Sequence, residues 1–84
     1  MTTLQSQFDA AVAESKELSE RPDNMTLLKM YAMYKQASAG DALDPRPGFS
    51  DLVGRAKWDA WAGLKGTSQD AAMEQYIALI AELS

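Results

Sequence analysis

Three breaks in an otherwise helix-patterned chain decide what it can fold into. They are Arg21-Pro22-Asp23-Asn24, Asp44-Pro45-Arg46-Pro47-Gly48 and Lys65-Gly66. Proline lacks the backbone donor and disfavours helix in the residue before it, while glycine tolerates the left-handed turn past a helix end. Between the breaks, apolar residues recur three and four positions apart, the spacing of a helix face. No alternating apolar run and no Asn-Gly or Asp-Gly pair occurs, so hairpins and sheets have no local support.

Four helices are expected. The first spans about Leu4 to Leu18, with Leu4, Phe8, Ala11, Val12 and Leu18 inward and Asp9, Glu14 and Glu17 outward. The second spans about Met25 to Ala39, capped by Asp23 or Asn24 and closed by Gly40. Asp41 to Ser50 forms the longest loop. Ser50 or Asp51 caps the third helix, which reaches about Leu64 before Lys65-Gly66 closes it. Thr67 with Asp70 matches a capping box that opens the fourth, whose buried face holds Ala72, Met73, Tyr76, Ile77, Ile80 and Leu83. The result is a small all-α four-helix bundle. The long second connection argues against up-down-up-down order and lets the second and third helices cross or run the same way.

The 84 residues make one small domain, above the roughly 40-residue size below which metals or disulfides become necessary. Cysteine and histidine are both absent. That removes disulfides, thiolate nucleophiles, cysteine metal sites and the usual neutral-pH proton shuttle. There is no Gly-x-Ser-x-Gly elbow either, so a thioesterase or acyltransferase is disfavoured, and neither a metal nor a cofactor is expected. The formal net charge of −4 opposes generic binding to nucleic acid or to an anionic membrane. The N-terminus has no basic head or apolar run, and no stretch approaches the roughly 20 apolar residues of a membrane span. A cytoplasmic protein without integral membrane association is expected.

Few side chains offer chemistry. Tyr31, Tyr34 and Lys35 are spaced to share one helix face. Two rings beside an ammonium suit a ligand with a flat base and a phosphate. Lys57, Ala60 and Trp61 share a face of the third helix, which ties Lys57 to the core-facing side, and its long stem can carry the ammonium to a groove edge. Tyr76 lies mid-helix, and its phenol needs a polar partner if buried. Each also has a packing explanation. Trp58, Trp61, Met30 and Met33 read as core, and a helical protein-interaction module with an aromatic anchor patch remains a second reading.

The blocks Met30-Tyr31-Ala32-Met33-Tyr34-Lys35-Gln36-Ala37, Gly40-Asp41, Arg46-Pro47-Gly48, Ala56-Lys57-Trp58-Asp59-Ala60-Trp61, Leu64-Lys65-Gly66-Thr67-Ser68, Ala72-Met73 and Tyr76-Ile77 resemble the acyl-CoA-binding protein family in order and spacing, over nearly the whole chain. Phe8-Asp9 and Lys16 fit the family's first helix. The resemblance implies a bundle of skewed topology, with residues 1–84 forming one acyl-CoA-binding domain. It also implies a monomeric, non-catalytic carrier and pool former for medium- and long-chain fatty acyl-CoA, the ligand rather than a cofactor. By that resemblance Tyr31, Lys35 and Lys57 hold the adenosine 3′-phosphate region and Tyr34 stacks on or flanks the adenine. Tyr76 contributes from the fourth helix and Lys16 from the first. Leu27 and Leu28 line the acyl path, while Ala32 and Met33 lie within the binding segment. The chain departs at Val53, where many relatives carry a basic residue.

Overall fold

A computed structural model describes residues 3–84, which form four helices and, among the described residues, no strand. They are α1 (Leu4–Ser15), α2 (Asn24–Ala39), α3 (Leu52–Ala62) and α4 (Gln69–Leu83). Each begins at a side-chain cap. Thr3 Oγ1 accepts from Ser6 N–H (3.1 Å), and Ser6 Oγ accepts in return from Thr3 N–H. Asp23 accepts from Thr26 N–H (2.7 Å) and Asp51 from Gly54 N–H (3.0 Å). These bonds satisfy amides that have no partner inside the helix.

Three boundaries differ from expectation. α1 ends at Ser15 rather than Leu18, because the Lys16 and Glu17 amides turn to the carbonyls three residues back, Ala13 and Glu14. α3 ends at Ala62 rather than Leu64, and tight turns of the same type carry the chain to Gly66, at φ 90°. Ser68, not Thr67, caps α4: Ser68 Oγ accepts from Ala71 N–H at 3.0 Å. Thr67 is occupied otherwise, its amide donating to Leu64 O and its carbonyl accepting from Gln36.

In space the helices lie in the order α1, α4, α2, α3. Cross-helix contacts give their directions. Phe8 meets Tyr76, and Glu14 accepts from Ser84, so α1 and α4 run the same way. Gln69, at the start of α4, donates to Ala37 O near the end of α2, so these two are antiparallel. Lys57 meets Tyr31 and, one turn on, Trp61 meets Lys35, so α2 and α3 are parallel. The order is up-down-down-up, as the long second connection allows. The Cα trace measures 44 × 29 × 15 Å, a thin slab.

The core joins α1, α2 and α4: Phe8, Ala11, Ala37, Ala72, Met73, Tyr76 and Ile80. Small alanines bring the backbones close, and Ile80, fully enclosed, contributes roughly 1.5–3 kcal/mol by burial. The returning loop is fixed to α3 instead. Trp61 Nε1–H donates to Gly40 O (2.7 Å), Trp58 Nε1–H to Asp44 O (2.9 Å), and Arg46 forks onto Asp59 at 2.9 and 2.8 Å. Trp58 is therefore a half-buried loop anchor, not core.

Gln36 ties three segments together. Fully buried, its amide donates to Asp41 Oδ1 and Thr67 O, both at 2.8 Å, and the same Asp41 oxygen accepts from Gly66 N–H at 3.0 Å. The Gln36 bond, followed by the Gly66 amide, holds the Asp41 carboxyl below its ordinary 3.8. A depressed carboxyl stabilises the fold above its unfolded value, and the benefit is lost as pH falls through the folded value. Asp41→Asn is therefore less stable than the parent near pH 7, with the gap closing below pH 3.8. Urea melts at pH 7, 4 and 2.5 check this, and a gap that stays constant across them contradicts it.

Candidate functional site

The seam between the parallel α2 and α3 brings two lysines and two rings together reciprocally. Lys57 of α3 places Nζ 5.4 Å from the centroid of the Tyr31 ring of α2. Lys35 of α2 places Nζ 4.8 Å from the Trp61 ring of α3. Both distances lie within the roughly 6 Å reach of a cation–π contact. Neither ammonium has a carboxylate within salt-bridge distance among the described residues, where the ion pair is Arg46–Asp59. Two cations held against aromatic faces without acids are an electrostatic invitation to an anion.

Tyr34 departs from the expected single face. Its ring turns toward α1 and stacks on Phe8, with centroids 6.0 Å apart and planes at 23°. On a helix Tyr31 stands between the directions of Tyr34 and Lys35, so tertiary packing draws the two flanking residues apart. Phe8 in turn meets Tyr76 edge-on at 5.2 Å. Tyr76 is 3% exposed and belongs to the core, so it supports Phe8 and Tyr34 more than it offers an open face. Lys16 stands exposed on the turn after α1, outside the Lys57–Tyr31 and Lys35–Trp61 contacts and outside the Tyr34–Phe8–Tyr76 stack. Ala32 is buried at 3%, and Met33 packs against the core.

Leu27 and Leu28 are half-buried, one turn before Tyr31. The register that sets Lys57 at Tyr31 brings Val53 alongside Leu27 when carried back one turn. There the first turns of α2 and α3 expose Met25 (68%), Leu52 (70%) and Val53 (67%). These residues form an apolar shelf one to two turns before Tyr31 and Lys57 on the same two helices. Leu52 and Val53 are apolar yet open, because α3 packs on α2 alone and, among the described residues, no further helix covers its outer side.

A separate cleft of about 470 Å³ opens between α1, α2 and α4. Phe8, Val12, Ala37 and Met73 give it apolar walls, and Tyr34 borders it. It carries the carboxyls of Asp9 and Asp70 and no base, so its charge repels an anionic head group. The lysine seam, not this cleft, has the right sign.

Among the described residues, no group of three or more His, Cys, Asp or Glu side chains could hold a metal ion. No described helix is long and apolar enough to cross a membrane. Fold and site together define a small helical ligand-binding domain.

Comparison with known proteins narrows this. A family model described as acyl CoA binding protein matches residues 5–80. Acyl-CoA-binding protein homolog 1 of Caenorhabditis elegans is 47% identical over 76 residues, covering 90% of this chain and 88% of the relative. The acyl-CoA-binding protein homolog of Manduca sexta is 48% identical over 83 residues, covering 96% and 91%. The crystal structure of Oryza sativa acyl-CoA-binding protein 2 superposes with a TM-score of 0.92 at 37% identity, covering 96% of this chain and 90% of that one. The chain belongs to the acyl-CoA-binding protein family.

Proposed function

We propose that this chain captures medium- and long-chain fatty acyl-CoA reversibly, as a cytoplasmic monomeric carrier and pool former that does no chemistry on the thioester. The reciprocal Lys57–Tyr31 and Lys35–Trp61 contacts carry the reading. They set two positive charges, neither salt-bridged among the described residues, on the same two helices as an apolar shelf, the polarity of an anionic amphiphile laid lengthwise. The phosphorylated head meets Lys35 and Lys57, with Tyr31 offering a ring to the nucleotide and Tyr34 flanking it. Lys16 approaches from the turn after α1, and Tyr76 acts from beneath through Phe8. The tail lies along Leu27, Leu28, Leu52 and Val53, gaining about 0.8 kcal/mol per buried CH₂. Each charge-assisted hydrogen bond to the head adds about 1.5–3 kcal/mol. No cofactor or nucleic acid enters.

Titration calorimetry with palmitoyl-CoA, coenzyme A and palmitate tests this, with a thiol-reactive dye present in a parallel incubation. Palmitoyl-CoA binds more tightly than either part, and no thiol is released. Palmitate binding as tightly as the thioester would make the protein a fatty-acid carrier instead. Sustained thiol release would make it an enzyme.

A further inference from the structure

We infer that Trp61 is a positioning residue for head-group binding, holding the Lys35 ammonium at the site where the phosphate arrives. The inference rests on the acyl-CoA reading of the lysine seam and adds a role that its lysines do not explain.

Trp61 is locked at both ends. Trp61 is 7% exposed, and its Nε1–H donates to Gly40 O at 2.7 Å. Gly40 is itself fixed, since its amide donates to Gln36 O at 3.1 Å in the last turn of α2. The indole therefore has one orientation, set by the corner where α2 ends. Lys35 Nζ lies 4.8 Å from the centre of that fixed ring. A free lysine samples many rotamers, and a phosphate must order it on binding. A ring beneath the ammonium limits that search before the ligand comes. The ring covers one side of the cation and has no hydrogen-bond acceptor that could occupy its N–H groups. Those donors remain for an anion on the opposite side. Ring, ammonium and phosphate can thus be stacked in that order without displacing one another.

A merely structural tryptophan would affect all ligands alike, so the test compares two. Palmitoyl-CoA carries the phosphorylated head, whereas palmitoyl-pantetheine keeps tail and thioester but has no phosphate. Trp61→Leu lowers affinity for palmitoyl-CoA about five- to tenfold and leaves palmitoyl-pantetheine within about twofold. In a Lys35→Ala background the same substitution costs palmitoyl-CoA nothing further, because both changes remove one interaction. Equal losses for both ligands, or a full loss in the Lys35→Ala background, overturn the inference. A parent protein that binds palmitoyl-CoA no better than palmitoyl-pantetheine instead overturns the reading of the seam itself. Should Trp61→Leu fail to fold, NMR on the parent decides. The Lys35 ε-methylene signals lie upfield through the indole ring current and stay there when adenosine 3′,5′-bisphosphate binds. Ordinary lysine positions in either state overturn the inference.

Discussion

Lys35→Ala weakens binding of a long-chain acyl-CoA by about ten- to a hundredfold, while folding loses only about 0.5–1 kcal/mol. The two effects separate because the ammonium does different work in each state. In the free protein it rests on the Trp61 ring, a contact of modest worth at a partly open site. In the complex it meets a phosphate through charge-assisted hydrogen bonds, which are about twice as strong as neutral ones. Calorimetric titration gives the affinity, and a urea melt of the same sample gives the stability. Unchanged affinity removes Lys35 from the site. A parallel loss of stability and affinity makes it a packing residue.

The largest effect on stability is expected at Phe8. Phe8→Ala costs about 3–5 kcal/mol, a large share of the roughly 5–15 kcal/mol that holds a domain folded. Phe8 is 3% exposed and, among the described residues, is the one side chain that meets both Tyr34 of α2 and Tyr76 of α4 through aromatic contacts. It also walls the cleft between those helices, so its removal enlarges a space that is already open. Phe8→Leu retains most of the apolar volume and loses far less. Urea denaturation followed by circular dichroism measures both, and a loss below about 1 kcal/mol for the alanine variant refutes the central role of Phe8.

Much of this molecule is legible in its sequence. Pro22, the Asp44–Gly48 segment and Gly66 punctuate the chain where the helices are interrupted, and the helical spacing of Phe8, Ala72, Tyr76 and Ile80 marks core positions. The misread ends have local causes. Leu18 carries the right apolar period for α1, but the backbone tightens at Lys16. Thr67 and Asp70 have the spacing of a capping box, yet the helix starts one residue later and Ser68 caps it through the Ala71 amide. Neighbour relations were out of reach, because periodicity says which face is buried and not against what. Trp58 shows this: its ring reads as core, but its N–H anchors a loop fourteen positions away in sequence. The site divides the same way. The lysines and tyrosines stand out by type, and the family resemblance assigns them to one ligand. That each lysine lies on a ring of the opposite helix depends on α2 and α3 being parallel, which no local pattern encodes.

The thinness of the slab bears on timing. The Cα trace is only 15 Å deep, α3 packs on α2 alone, and Lys57, Leu52 and Val53 are exposed, so the seam opens at the surface rather than in an enclosed chamber. Among the described residues no helix covers the seam, so an arriving amphiphile has none to push aside and a departing one none to wait for. Encounter is then limited by diffusion and orientation, and residence time by the contacts themselves. Changes along the seam should alter the dissociation rate far more than the association rate. A carrier built this way can hold its cargo tightly and still hand it over as fast as those contacts break.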